Sequence, residues 1–543
     1  MATCGEVLVK LLEAYGVEQV FGIPGVHTVE LYRGLAGSSI NHVTPRHEQG
    51  AGFMADGYAR TSGKPGVCFI ITGPGMTNIT TAMGQAYGDS IPMLAISSVQ
   101  SRSQLGGGRG NLHELPNQSA MMAGVAAFSH TLMSAAELPS VLARAFALFQ
   151  AGRPRPVHIE IPLDVLVENA DALLASQPVN IARPGAAPDA IKQMSQCLAS
   201  ARRPLILAGG GAIEAAPALT RLAERLGAPV ALTINAKGML PSHHPLLIGS
   251  TQSLVATRAL VAEADVVLAI GTELAETDYD VTFAGGFEIP GTLLRIDIDP
   301  DQTVRNYPPT LALVADARLA TEALLDNLEH LSPRTVGWGA SRAEQLRHEL
   351  ANTWDAPTRA QTFFLQTVFE VLPDAVCVGD STQPVYTGNL TYNPEQPRRW
   401  FNSSTGYGTL GYALPAAIGA WLGRQVDRQS GGPVLCLIGD GGLQFTLAEL
   451  ASAVEARTPI IVLLWNNQGY GEIKKYMLNR AIEPVGVDIY TPDFIGVAKA
   501  LGCAALSVES PAQLRAALAH AAHLCGPTLI EIDEQRWQQA LAL

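Results

Sequence analysis

One stretch limits the architecture of this chain more than any other. Residues 434–438 (VLCLI) form a short, continuous apolar run of buried-strand type that ends in Gly439-Asp440-Gly441-Gly442. Residues 443–456 then read as a helix, and 460–465 (IIVLLW) as a second buried strand running into Asn466-Asn467. Buried strands joined by a helical crossover predict a parallel sheet with helices on its faces. Asp440 and Asn467 fall at the carboxyl ends of the two strands, where open α/β sheets bind ligands. A carboxylate and an amide oxygen suit Mg2+, a hard cation that shares protein oxygens with phosphate and water. The glycines beside them let backbone approach phosphates with no Cβ in the way. The whole reads as a diphosphate-binding device, although Gly-Asp-Gly alone is also ordinary turn chemistry.

The same alternation runs through the rest of the chain. In residues 1–170 the strand candidates are QVFGIP, INHVTP, GVCFIITG, MLAISS and VHIEIP. In 188–330 they are PLILAGGG, PVALTI, DVVLAIG and LLRIDID, and a third unit occupies 356–543. An Ala- and Pro-rich linker, 169–189, separates the first two units, and residues 328–356 lose apolar periodicity. The expected fold is therefore α/β, with three doubly wound parallel-sheet domains. A chain of 543 residues, 47% apolar and 16% charged, has enough apolar surface for several cores. Its net charge of −13 argues against nucleic acid and anionic membranes as partners. Seven cysteines form no CxxC pair, and Cys68, Cys377 and Cys436 lie in apolar runs, as small core residues of a reducing compartment do. The N-terminal MATCGEVLVKLLEAYG lacks a basic start and a long apolar block, and no spanning segment is visible, so a cytoplasmic protein is expected. Gly209-Gly210-Gly211 does not fit GxGxxG and has no suitable acid after it. Gly106-Gly107-Gly108 reads as a mobile loop near the active site.

With the asparagine pair at this spacing, Gly439-Asp440-Gly441-Gly442 resembles the cofactor signature of thiamine-diphosphate enzymes. Two other segments stand in that family's order. One is Arg46-His47-Glu48-Gln49-Gly50-Ala51, with Gly73-Pro74-Gly75-Met76-Thr77-Asn78 one strand later; the other is Gly406-Tyr407-Gly408-Thr409-Leu410-Gly411. The resemblance covers nearly the whole chain and is strongest to the acetolactate synthase branch. It implies a pyrimidine-binding domain (1–170), a central Rossmann-like domain (188–330) and a diphosphate- and Mg2+-binding domain (356–543).

Carried over residue by residue, the resemblance implies that Glu48 hydrogen-bonds the aminopyrimidine, as a carboxyl with a raised pKa can. The plain alternative is a helix cap after Pro45. Leu410 would lie beneath the bend of the cofactor, and the Gly408 carbonyl would accept from its amino group. Asp440, Asn467 and the Gly469 carbonyl would hold Mg2+, and Gly441, Gly442, Ser381 and Thr382 would contact the diphosphate. Pro24, Gly25, Gly73, Asn78 and Tyr470 would complete the cofactor's surroundings. In this family the glutamate and the metal site belong to different subunits, which implies at least a homodimer, commonly doubled to a homotetramer.

Several positions depart from the synthases. Tyr476 stands where they carry a tryptophan for the second oxo acid, and their active-site glutamine is replaced around Leu112-His113-Glu114. Gly271-Thr272-Glu273 stands where flavin-binding members carry GxRFDDR. These departures weigh against carboligation and against FAD. The replacements are also acidic. Glu472, beside Ile473, falls where related decarboxylases line the substrate pocket with small or apolar side chains, and Glu273, Glu276, Asp278 and Asp280 crowd one loop. Unpaired acids in a pocket favour a cationic ligand, and a guanidinium suits a carboxylate best. The segments FGIPGVHTVELYRGL and NNQGYGEIKKYM resemble 2-ketoarginine decarboxylases, so the expected substrate is 5-guanidino-2-oxopentanoate, a 2-oxo acid of arginine catabolism. The alternatives are a Glu472 paired with Lys474, Lys475 or solvent and an acidic loop that is merely surface, an acetolactate-synthase-like carboligase, and a pyruvate-oxidase-like flavoenzyme. His27, after Ile23-Pro24-Gly25, and His113 are candidates for proton transfer or for structural hydrogen bonds.

Overall fold

The computed structural model describes residues 1–279, 286–331, 337–426 and 432–541. The first sheet comprises β1 (Gln19–Gly22), β2 (Asn41–Val43), β3 (Gly66–Ile70), β4 (Met93–Val99), β5 (Phe128–Thr131) and β6 (Val157–Pro162), in the order β2-β1-β3-β4-β6-β5. The second comprises β7 (Pro204–Ala208), β8 (Val230–Leu232), β9 (Leu247–Gly249), β10 (Val266–Ile270), β11 (Thr292–Asp297) and β12 (Leu311–Val314), ordered β12-β11-β10-β7-β8-β9. The third comprises β13 (Val376–Gly379), β14 (Trp400–Asn402), β15 (Val434–Gly439), β16 (Ile461–Asn466), β17 (Ala504–Val508) and β18 (Thr528–Asp533), ordered β14-β13-β15-β16-β18-β17. Every pairing between these strands is parallel. The expected three-sheet α/β architecture is what forms. In each sheet the chain enters mid-sheet and turns from one side of its first strand to the other, at β1/β3, β7/β10 and β13/β15; in the first and third sheets it also reverses near the far edge, where β6 and β18 insert inside β5 and β17. The first of these reversals in each sheet opens the crevice where ligands bind in such folds.

The central strands are buried on both faces, as their continuous apolar runs require. In the first two sheets the short edge strands β5, β9 and β12 were not among the sequence expectations, and in the third sheet β13, β14, β17 and β18 were not. β5 (FSHT) is half-buried throughout and has neither an apolar run nor an alternation to reveal it. The aperiodic segment 328–356 contains a helix, Trp338–Ala351, whose Ala343, Leu346 and Leu350 pack beside the middle sheet. Only one narrow stripe of that helix is apolar, too little to stand out in the sequence.

One apolar core is shared by the first and third sheets, and the middle sheet has its own. The shared core is crossed by two helices in backbone contact, Glu48–Ser62 and Ala413–Gln425. A Cβ on Gly57 would stand 2.0 Å from the Ala416 carbonyl oxygen, and one on Gly419 1.8 Å from that of Met54. Near this contact the buried Arg60 joins all three units: it donates to Asp56 (2.6 Å), Asp89 (2.7 Å) and Asn235 (3.1 Å), while Tyr412 donates to Asp56. Among the described residues no helix is long and apolar enough to cross a membrane.

Candidate active site

β15 ends at Gly439 and Asp440 opens the helix Asp440–Thr446; a second helix, Glu449–Glu455, follows. The single helix expected over 443–456 is therefore two. Extended backbone at Gly439 starts the first early, and the break turns Glu449 toward the first unit. There the buried Glu449 carboxylate accepts from Arg46 N (3.0 Å) and His47 N (3.1 Å), just ahead of the Glu48 helix.

The side-chain oxygen of Asn467 lies 2.8 Å from the Gly469 carbonyl oxygen and 3.1 Å from Asp440 Oδ1. The Asn467 amide nitrogen donates to Gln383 Oε1 at 3.3 Å. Asp440 is 1% exposed, and its Oδ2 has no partner. Acceptors facing acceptors are costly without a donor between them. Adjacent oxygens around an octahedral cation with bonds of about 2.0–2.1 Å stand about 2.9 Å apart, the spacing found here. Turned over, the amide would instead donate to both oxygens; in either orientation Asn467, Asp440 and the Gly469 carbonyl converge on one point, a set of groups that suits a small divalent cation. Gly469 is required by its backbone: φ is +153°, and a Cβ would meet the Val487 carbonyl oxygen at 2.4 Å.

Beside this cluster, two helices begin without side-chain caps. Thr382 precedes Gln383–Thr391 and Gly439 precedes Asp440–Thr446, and neither makes a side-chain capping bond. A Cβ on Gly439 would stand 2.9 Å from Thr382 Oγ1, so the two starts are adjacent. Adjacent helix starts of this kind suit a diphosphate. The Tyr470 ring lies against Gly441, and Asp380 against Gly442. Asp380 was missed by the sequence reading, although it directly follows β13. Burial pushes its carboxyl up to about 6, and it accepts from Ser381 N (2.9 Å) and Ala413 N (3.1 Å). It thereby ties the loop before Thr382 to the turn 406–411, where Gly406, Gly408 and Gly411 take positive φ around the half-buried Leu410.

The second cluster lies at the carboxyl ends of β1 and β3. His47, not Glu48, caps the Glu48–Ser62 helix, with its side chain accepting from Gln49 N. Glu48 Oε2 instead accepts from Asn78 Nδ2 at 2.9 Å. The His113 carbonyl lies over Gly73, and Ile71 packs on Gly25 in the turn that follows Pro24. The rings of His27 and His113 meet edge to face, with centroids 5.1 Å apart, and each has a buried Nδ1 with no hydrogen-bond partner. Burial, and then His113, lower the pKa of His27. The structure thus sets Asn78 on Glu48 and brings His27 against His113 and His113 against Gly73. Among the described residues no hydrogen bond joins this cluster to Asp440 and Asn467, and both have exposed apolar rims: Val26 and Leu112 on one, Phe445, Ile473 and Tyr490 on the other.

Glu472 lies in the first turn of the helix Gly471–Asn479 and is exposed. Lys474 pairs with Asp488 at 2.7 Å, and Glu472 makes no ion pair among the described residues. Its charge acts on Tyr386, which burial pushes up to about 12, and on Glu534, which burial also raises. Tyr476 is exposed, with the Arg480 guanidinium 4.3 Å from its ring centroid. The acidic loop lies elsewhere. Glu273 pairs with Arg153 of the first unit, and Asp278, pushed up to about 7 by burial, lines a cleft of about 1090 Å³ between the three units. Neither Glu472 nor Asp440 lines that cleft, and Asp280 lies outside the described residues. Gly209 and Gly211 are packed on Gly271 and Thr272, so the glycine run serves a tight turn-to-turn contact.

Three family descriptions match the chain in order. They are the thiamine pyrophosphate enzyme N-terminal TPP binding domain over residues 2–121, the central domain over 191–324, and the C-terminal TPP binding domain over 380–532. The chain belongs to the thiamine pyrophosphate (thiamine diphosphate) enzyme family. A probable 2-ketoarginine decarboxylase of Pseudomonas aeruginosa is 48% identical over 98% of this chain and 94% of its own length. The acetolactate synthase isozyme 1 large subunit of Escherichia coli K12 is 31% identical over 98% and 93%, and a probable acetolactate synthase large subunit of Methanocaldococcus jannaschii 30% over 97% and 91%.

Proposed function

We propose that this protein is a thiamine diphosphate- and Mg2+-dependent decarboxylase that converts 5-guanidino-2-oxopentanoate to 4-guanidinobutanal and CO2. The observation that carries the substrate assignment is Glu472, an acid five residues past Asn467 that makes no ion pair among the described residues. The 48% relationship to a probable 2-ketoarginine decarboxylase supports the same reading.

Bound thiamine diphosphate supplies the carbon nucleophile and the electron sink for loss of CO2. Asp440 Oδ1, Asn467 Oδ1 and the Gly469 carbonyl would hold Mg2+, and the uncapped starts at Thr382 and Gly439, with Ser381, Gly441 and Gly442, would hold the diphosphate. The Gly408 carbonyl and Leu410 would fix the bend. Glu48, oriented by Asn78, would hold a proton at the aminopyrimidine. His27 and His113, whose rings face each other, would deliver the proton that the product carbon receives. Glu472 would bind the guanidinium through two parallel hydrogen bonds. The separate Glu48 and Asp440 clusters, each with an apolar rim, favour a homodimer in which one chain's first unit meets its partner's third, doubled to a tetramer as in the family.

The test is CO2 release from pyruvate, 2-oxoisovalerate, benzoylformate and 5-guanidino-2-oxopentanoate, with products identified by mass spectrometry. The guanidino acid should be preferred, and Glu472→Gln should lower its kcat/KM by roughly 10- to 100-fold while sparing neutral acids, as expected for a charged hydrogen bond of about 1.5–3 kcal/mol. Equal losses on all acids, or a coupled C5 product from pyruvate, would refute the assignment.

A further inference from the structure

The backbone that presents His113 has little of its own to hold it. Gly106, Gly108 and Gly110 have φ of +65°, +58° and +71°, with nothing within 4 Å of the positions their Cβ atoms would take. Such a glycine run has many accessible backbone states. His113 itself sits at φ +63°, a conformation costly for a residue with a side chain. On its C-terminal side the constraint is clear: the His113 carbonyl packs on Gly73, and Gln118 Oε1 accepts from Gly73 N (3.0 Å) and Thr72 Oγ1 (2.9 Å). Gln100 also donates to the Leu112 carbonyl at 2.8 Å.

The other constraint is Glu114. Its Oε1 accepts from Gly108 N (2.8 Å) and Arg109 N (3.4 Å), and its Oε2 from Asn111 N (2.8 Å) and Asn111 Nδ2 (3.4 Å). One carboxylate therefore gathers three backbone N–H groups of the loop and is attached to the residue next to His113. Bonds from backbone N–H to an ionised acceptor are among the stronger ones available to a loop. All four bonds stay within the loop, so this acid is occupied in shaping it.

We propose that Glu114 is a positioning residue: by folding residues 108–111 onto its carboxylate, it sets the left-handed backbone of His113 and keeps that imidazole against His27. The proposal rests on the reading that the histidine pair handles the product proton. The test uses holoenzyme turning over 5-guanidino-2-oxopentanoate, with Glu114→Ala, Glu114→Gln, His113→Ala and the Glu114→Ala/His113→Ala double variant. Glu114→Ala should lower kcat about 10-fold with KM within twofold, because a small misplacement of a reacting group is costly. Glu114→Gln, which keeps one acceptor oxygen, should fall between. In the His113→Ala background, Glu114→Ala should have no further effect on kcat, the signature of two residues acting as one. Additive losses, or a Glu114→Ala enzyme with unchanged kcat, overturn the proposal alone. A His113→Ala enzyme with wild-type kcat overturns the histidine reading and this proposal with it.

Discussion

Replacing Gly419 by alanine would put a methyl carbon 1.8 Å from the Met54 carbonyl oxygen, across the contact between the helices Ala413–Gln425 and Glu48–Ser62. Real Cβ atoms essentially never come within 3.0 Å of such an atom, so the two backbones must part by about 1.2 Å there (3.0 less 1.8). Two effects compete. Helix propensity favours alanine over glycine by about 1 kcal/mol, whereas overpacking a tight core costs about 1–3 kcal/mol. Because the obstacle is backbone, flanked by the buried Phe53 and Ala55, the upper part of that range applies, and the net loss is about 2 kcal/mol. At about 2–4 °C per kcal/mol for a unit of 150–250 residues, Tm should fall by roughly 4–8 °C. Urea unfolding should show a lower midpoint at unchanged slope. Met54 is on the same helix as Glu48, so the displacement should also weaken thiamine diphosphate binding, read by quenching of tryptophan fluorescence. Gly57→Ala, whose Cβ would meet the Ala416 carbonyl oxygen at 2.0 Å, makes the same intrusion from the other side and should behave alike. A Gly419→Ala protein as stable as the parent, or more so, would mean that propensity outweighs the contact and would refute the reasoning.

Two more outcomes follow from the site itself. The carboxyl of Asp380 is raised to about 6 by burial, against about 3.8 unfolded, so the folded state binds its proton more tightly. That contribution to stability is fully present below about pH 4 and is lost as pH rises through about 6, a change of roughly 3 kcal/mol; urea unfolding of the apoprotein at pH 4 and 7 should show it, and Asp380→Asn should flatten it. Asp440→Ala, which removes one of three converging oxygens, should weaken Mg2+ binding by more than 10-fold in calorimetric titration with thiamine diphosphate present; an unchanged affinity would place the cation elsewhere.

Much of the architecture was legible because parallel strands buried on both faces are written as continuous apolar runs. VLCLI and IIVLLW became β15 and β16, and Asp440 and Asn467 lie where their ends predicted. The edge strands were illegible for the converse reason: β5 is half-buried, and three- or four-residue edges carry no period. The Glu48–Asn78 bond and the meeting of His27 with His113 follow from the β1/β3 reversal, but no local signal announces that residues 27 and 113 will touch. Asp380 and Glu449 were missed because their work is to hold backbone N–H groups, which leaves no pattern in neighbouring residues. The acidic loop shows the converse, a sequence cluster whose members the structure separates. Four acids close in sequence suggested one pocket, whereas Glu273 is paired with Arg153 and Asp278 lines a cleft that does not include Glu472.

The contact between Gly57 and Gly419 also fixes a timetable. Phe53 and Met54 gain their helical cover only when the segment around Gly419 has been synthesised, about 365 residues after Met54. At roughly 5–20 residues per second, an apolar flank of the first unit waits on the order of 20–70 s on the ribosome before the helix that buries it exists. A chain interrupted between the end of β6 at Pro162 and that segment would present that flank to the solvent, so truncated forms should aggregate or be held by chaperones even though their own sheet is complete.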